Sequence, residues 1–155
     1  MGDPAVTTRT MKRARAIILV AGVFGACADF EGVVNPTGGL PDVVVEIPRF
    51  GLDIVPIFER RCGIGGCHSE SAHQAGLVLT RAFAHATLVN SPSQTRLGQV
   101  LVRPGDADNS WMIIVIRDDS ARRLGFPRMP LGSGPLTPNQ IQTIVNWVNR
   151  GAPND

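Results

Sequence analysis

The sequence predicts a small all-α domain, and three segments with helical patterns carry that prediction. The clearest is LTPNQIQTIVNWVNRGAP, which begins at Leu136, and the other two are LDIVPIFERRC and SWMIIVIRDD. The chain has 155 residues, of which 43% are hydrophobic, so one domain with one core fits its length and composition. Aromatic residues make up only 5%, and a small domain with so few often depends on a metal or cofactor for stability.

The segment that begins at Leu136 has the most complete set of helix signals. Thr137 is the expected N-cap, with Pro138 at the first helical position and Gln140 at the third, which is a capping-box arrangement. Gly151 is expected to end the helix, since Pro153 prevents it from resuming. Four apolar residues recur at helical spacing and form one face: Ile141, Ile144, Val145 and Val148.

The segment LDIVPIFERRC predicts a helix that leads directly into a pair of cysteines. Asp53 is the candidate N-cap and Pro56 still lies in the first turn, where proline is tolerated. Ile54, Ile57 and Phe58 follow at helical spacing. We therefore expect this helix to place its C-terminal end at the segment from Cys62 to His68.

The segment SWMIIVIRDD fits a helix or a strand by its periodicity alone. We favour a helix, because Asp108, Asn109 or Ser110 could cap it and no second hydrophobic run could pair with it. Residues 81–89 could form one or two further helical turns. GLVLT and LVRPGDADNS are expected to be extended or turn-like.

The first 27 residues are typical of an export signal. MKRARAIILVAGVFGAC has a basic start at Met11, an apolar run too short to span a bilayer, and two small residues before Cys27. The ending FGAC resembles the bacterial lipobox, in which the cysteine is lipidated and becomes the mature N-terminus. The alternatives are a plain secretory signal cut near Ala26 or Ala28 and, less favoured, an ordinary core helix. Met11 is also the better candidate for the start of translation.

The export signal and the sequence after it divide the chain into three predicted regions. These are a leader over 1–27, a flexible tether with a short strand over 28–48, and a domain over 49–155. DVVVEIP is the expected strand, ended by Pro48. We expect the domain to be exported to the periplasm or cell envelope and held at the membrane by a lipid on Cys27. Beyond Cys27 the chain has 11 arginines, no lysine and 12 acidic residues, so nucleic-acid binding is not expected.

With Cys27 assigned to the leader, the domain keeps two cysteines, in the stretch RRCGIGGCHSE. Cys62 and Cys67 stand five positions apart, and His68 follows directly. A disulfide would not need the histidine, and a zinc site would want further ligands. Covalent haem attachment uses this order, because two thiols add to the vinyl groups and the adjacent histidine reaches the iron. The usual spacing has two residues between the cysteines and here there are four, but three of the four are glycines, which suit a longer loop.

Four residues are candidates for a second ligand to such an iron: Met112, Met129, His73 and His85. We favour Met129, which lies between Pro127 and Pro130 in the irregular segment FPRMPLGSGPLT. Met112 follows a tryptophan in an apolar run and is better explained as core. The two histidines are better explained as surface residues.

Residues 52–152 resemble a c-type cytochrome domain of the single-haem type found in exported bacterial proteins. The resemblance rests on VPIFERRC, CH, AGLVL, VRPGDADNSWM, MP and LTPNQIQTIVNWVNRGA, and the C-x4-C-H spacing is its departure from the usual pattern. It implies an all-α, cytochrome c-like fold around one haem c. It also implies that the closing helix, which bears Trp147, packs on the helix before the cysteines.

The same resemblance implies the site. Cys62 and Cys67 would form the thioethers, with His68 as the proximal iron ligand and Met129 as the distal one. An iron with two protein ligands has no open position, so one-electron transfer to redox partner proteins, which the sequence does not identify, is expected rather than catalysis. Arg61 and Arg128 could pair with the haem propionates or be solvated surface residues.

Three alternatives stay open at this point. The first is an exported binding module with a Cys62–Cys67 disulfide. The second is a zinc or copper site formed by these cysteines, His68 and a further ligand. The third keeps the haem but makes the protein an enzyme or gas sensor, which would need an exchangeable position on the iron.

Overall fold

Helices dominate the part of the chain that the structure, a computed structural model, describes: residues 42–117 and 120–155, and the isolated Gly2. The predicted leader with Cys27, and the tether up to residue 41, lie outside the described residues. A π-helical turn over Phe50–Ile54 leads into α1 (Val55–Arg61), and a 3-10 turn covers Gln74–Gly76. Four helices follow: α2 (Ala84–Leu88), α3 (Trp111–Ile116), α4 (Ser120–Arg123) and α5 (Pro138–Asn149).

These described residues contain isolated β-bridges but no strand, as the all-α prediction requires. From residue 42 onward they belong to one compact unit. No helix within them is both long and apolar enough to cross a membrane.

Helix α5 confirms the signals that predicted it. The Thr137 hydroxyl accepts the Gln140 N–H at 3.1 Å, and the Gln140 side chain accepts the Thr137 N–H at 3.1 Å. The backbone leaves the helix at Gly151, whose φ is +96°, a value that glycine adopts without strain. Its buried face includes Ile144, Trp147 and Val148.

The first helix differs from the prediction at its start and agrees with it at its end. Helical backbone begins at Phe50, before the predicted N-cap, and the Asp53 carboxylate accepts the Arg49 N–H at 2.7 Å. The prediction that Asp53 is the N-cap is therefore wrong, because its side chain reaches back one turn. At the other end, the Cys62 N–H donates to the Phe58 carbonyl at 2.8 Å, so α1 leads into the cysteines as expected.

The strand predicted for DVVVEIP is wrong. Residues 43–48 form no strand and lie along α5 instead. The Val45 N–H donates to Thr143 Oγ1 at 3.0 Å, and Asn146 Nδ2 donates to the Val45 carbonyl at 3.0 Å. Polar side chains of α5 thus satisfy the backbone groups that a neighbouring strand would have paired.

Helix α3 confirms the helical interpretation of the apolar run, but not the cap. Ser110 stands at the N-cap position, yet its hydroxyl donates to the Asp106 carbonyl at 2.7 Å and accepts the Arg103 N–H at 2.9 Å. It therefore fixes the preceding turn rather than the helix end. Helix α2 lies within the residues predicted to form helical turns, and α4 was not predicted.

The closing helix packs on the π-helical turn over Phe50–Ile54, which leads into α1. The rings of Trp147 and Phe50 have centroids 5.1 Å apart. His85 packs edge-on against Phe50 at 5.2 Å, and its Nε2 lies 2.9 Å from the Ala152 carbonyl oxygen. His85 is therefore half-buried rather than a plain surface residue, because its ring packs on aromatics while its nitrogen lies beside a backbone carbonyl. The core includes Ile54, Phe58, Leu88, Ile113 and Ile144, all fully or nearly fully buried.

Candidate functional site

A cavity of about 410 Å³ brings together the residues that the sequence singled out. Cys62, Cys67, His68 and Met129 all line it, although they come from two segments far apart in the chain. An adjoining cavity of about 150 Å³ is also lined by His68 and Met129. The remaining walls are mostly apolar and come from α1, residues 74–79, α3 and the segment before α5. A space of this size and polarity is typical of a site for an apolar small molecule that is held by a few polar or sulfur groups.

The cysteine loop, residues 62–68, is closed by its own backbone. The His68 N–H donates to the Cys62 carbonyl at 3.1 Å, and the Cys67 N–H donates to the Ile64 carbonyl at 3.1 Å. These bonds span the four residues between the cysteines, so the longer spacing forms an ordered turn.

Two of the three glycines in this loop have a structural requirement. Gly66 has a φ of +81°, which disfavours any residue with a side chain. At Gly63, a Cβ would lie 2.6 Å from the Leu79 carbonyl oxygen, which is too close for any contact. Gly65 has open space around it. The interpretation that all three glycines serve the longer loop therefore holds for Gly63 and Gly66 only.

Both thiols are free and half-buried in the cavity wall. Burial raises the pKa of the Cys62 thiol to about 12, and the nearby Arg61 guanidinium opposes this shift only in part. Cys62 is therefore a neutral thiol at neutral pH. A neutral thiol is a poor nucleophile, which argues against Cys62 as a catalytic nucleophile.

His68 presents one ring nitrogen for a ligand. Its Nδ1 lies 3.0 Å from the carbonyl oxygen of Gln74. Because a carbonyl can only accept, this hydrogen bond places the proton on Nδ1 and leaves the lone pair on Nε2. A backbone carbonyl behind a ligating imidazole is a common arrangement in metal sites, since it fixes the tautomer and the ring orientation.

Two methionines line the cavity, and they differ in burial and in the part of the fold that carries them. Met112 is 5% exposed, within α3 and the core, as predicted. Met129 is only partly buried and belongs to the methionine loop, residues 129–136, which contains neither helix nor strand. The Met129 N–H donates to the Val115 carbonyl at 2.7 Å. Both methionines thus line the cavity, and Met129 is the less buried of the two.

The other predicted candidates lie elsewhere. His73 is exposed, as predicted, and neither it nor His85 is among the residues that line the two cavities. Arg61 lines the larger cavity, whereas Arg128 lines neither. A contact with a ligand in the cavity therefore stays a hypothesis for Arg61 and loses support for Arg128.

Sequence reasoning missed most of the apolar wall. Leu77, Val115, Ile116 and Leu136 line the larger cavity, and periodicity marks such residues only as core. Within the described ranges, no group of three or more His, Cys, Asp or Glu residues is placed to hold a metal ion.

Comparison with known proteins adds nothing to this geometry. No family model matches the chain, and neither the curated proteins nor the solved structures contain a significant match to it.

Proposed function

We propose that this chain is an exported c-type cytochrome that carries one electron on a single covalently attached haem. The observation that supports the proposal is that Cys62, Cys67, His68 and Met129 line one cavity with mostly apolar walls. The sequence motif brings only Cys62, Cys67 and His68 together, because they are close in the chain. The approach of Met129 from a distant segment is an independent feature.

The residues that line the cavity fit a covalently attached haem in three respects. Two thiols in the cavity wall could each form a thioether. The imidazole of His68 has its Nδ1 occupied by the Gln74 carbonyl, so Nε2 would be the ligating nitrogen. The thioether of Met129 would supply a sulfur ligand, and the apolar walls suit a porphyrin ring.

When bound, the haem supplies a one-electron iron couple. The chain would hold this group through His68 and Met129, orient the imidazole and exclude water with apolar side chains. Methionine ligation raises the reduction potential relative to ligation by two histidines. If both residues bind the iron, no position is left for a substrate, so we propose an electron carrier rather than a catalyst. Its partners would be redox proteins, reached from a lipid anchor at Cys27 in the cell envelope.

The test is expression of the chain together with cytochrome maturation factors, followed by intact mass and a haem spectrum under denaturing conditions. We expect one haem bound through two thioethers. Cys62→Ala and Cys67→Ala should each leave a single thioether and shift the denatured spectrum, because one vinyl group then stays free. His68→Ala should prevent accumulation of stable holoprotein. A colourless wild-type protein, produced in cells that mature a control cytochrome, would contradict the proposal.

The same measurements separate the alternatives. A haem-free chain in which both thiols have been lost to a disulfide would favour the exported binding module. A haem protein whose ferric spectrum is high-spin and unaffected by Met129→Ala would favour an enzyme or sensor, because the iron would then have an open position.

A further inference from the structure

One arginine ties the methionine loop to the helix that leads into the cysteines. Arg61 is the last residue of α1 and directly precedes Cys62. Its Nη2 lies within hydrogen-bond distance of three consecutive carbonyl oxygens, those of Ser133 at 2.9 Å, Gly134 at 3.1 Å and Pro135 at 3.2 Å, which share its two N–H groups. A charged donor makes stronger hydrogen bonds than a neutral one. Arg61 therefore acts as a clamp between the two segments that supply the candidate ligands.

The methionine loop depends on contacts of this kind. It has no helix or strand, and Gly132 and Gly134 have φ values of +80° and +73°. One end is fixed at Met129 by the Val115 carbonyl, and the other enters α5. Residues 130, 131 and 133, between these ends, line the larger cavity. The clamp at residues 133–135 thus holds the part of the loop that forms the cavity wall.

We propose that Arg61 is a positioning residue for Met129, which sets the place of the methionine sulfur relative to His68. This inference rests on the proposed function, because it concerns sulfur ligation of the haem iron. The His68 N–H is bonded to the Cys62 carbonyl, so the histidine side of the cavity is connected to the end of α1. The clamp connects the methionine side to the same helix end. Without it, the loop is free to withdraw, and an external ligand can replace the sulfur.

The experiment compares Arg61→Gln with a matched control, Arg81→Gln, in the holoprotein. Arg81 also donates to a backbone carbonyl, that of Gly51 at 3.1 Å, but it lines neither cavity. The ferric proteins are titrated with imidazole, and the sulfur-to-iron charge-transfer band and the reduction potential are recorded. We expect Arg61→Gln to raise the imidazole association constant roughly tenfold, as loss of a charged hydrogen bond allows. The band should weaken and the potential should fall, while Arg81→Gln keeps wild-type values.

Thermal unfolding of both variants separates positioning from general stability. Equal imidazole affinity and potential in Arg61→Gln and wild type would overturn the inference. So would a parallel rise in imidazole affinity in both variants, because the effect would then follow from destabilisation. If Arg61→Gln yields no folded holoprotein, Arg61→Lys, which keeps the charge but loses the planar fork, is judged by the same criteria. Wild-type protein without covalent haem or without the sulfur band contradicts the proposed function itself, before any variant is compared.

Discussion

The cysteine loop and the methionine loop line the same cavity, but they are held in place differently. Within the cysteine loop, Cys67 bonds to Ile64 and His68 bonds to Cys62 through the backbone. The contacts described for the methionine loop come from other elements, namely Val115 in α3 and Arg61 in α1. The histidine side is thus specified by neighbouring residues, whereas the methionine side is specified by the fold. We therefore expect the cysteine loop to keep its structure when the methionine loop is perturbed.

The sharpest way to test this comparison is to remove each thioether in turn. Met129→Leu is expected to abolish the sulfur-to-iron charge-transfer band completely while the covalent haem and His68 ligation remain, because only the distal side loses its ligand. Met112→Leu is the control, since it conserves volume in the core and should cost less than about 1.5 kcal/mol of stability. Absorption spectra and thermal unfolding of both holoproteins provide the measurement.

The opposite pattern, with the band lost in Met112→Leu and kept in Met129→Leu, would assign the distal ligand to α3. The methionine loop would then supply no ligand, and its comparison with the cysteine loop would no longer apply to the two sides of the iron.

The second prediction tests whether the cysteine loop is formed before haem is attached. In a haem-free chain that begins after the leader and carries Cys67→Ser, Cys62 is the only thiol. Because burial raises its pKa to about 12, we expect alkylation at pH 8 to be slower than in the urea-denatured chain by roughly a hundredfold or more. The rate in the folded chain should keep rising with pH well above the point where the denatured chain levels off.

The sign of the linked stability effect follows from the same shift. The pKa of Cys62 is raised in the folded state, so the neutral thiol favours folding below the pKa of the unfolded chain. This contribution decreases as the pH rises from that value towards 12. Equal alkylation rates in the folded and denatured chains would show that the loop is open without haem.

The third prediction uses two glycines of the cysteine loop. Gly63→Ala should destabilise the protein by about 1–3 kcal/mol, because its Cβ would lie against the Leu79 carbonyl and force the backbone to shift. Gly65→Ala should change stability by no more than about 0.5 kcal/mol, since the space around it is open. Urea unfolding of the two haem-free variants measures both values, and equal effects would mean that Gly63 does not pack closely against Leu79.

Features that depend on a few adjacent residues were predictable from the sequence. The capping box of Thr137 and Gln140 spans one helical turn, and the structure reproduces it fully. The motif formed by Cys62, Cys67 and His68 is likewise contained in one short stretch of the chain. Met129 could be proposed as a candidate ligand because the prolines on both sides of it make an ordinary packing role within a helix difficult.

Features that depend on contacts between distant segments were not predictable. The β-forming residues around Val45 suggested a strand, but side chains of α5 are the partners of their backbone. His85 was assigned to the surface because nothing nearby in the sequence shows that its ring packs against Phe50 and Trp147. The role of Arg61 is hidden for the same reason, since its three acceptors lie about seventy residues further along the chain.

The attachment of residues 42–48 to α5 has a consequence for the proposed lipid anchor at Cys27. These seven residues, which the sequence assigned to a short strand after the flexible tether, are fixed to the protein surface, so they add none of their extended length of about 25 Å to the reach of the tether. Asn139 and Asn146 hold this segment through the carbonyls of Asp42 and Val45. If Cys27 carries the proposed lipid, a pull from the membrane would therefore reach α5 before it reaches the cysteine loop or the methionine loop.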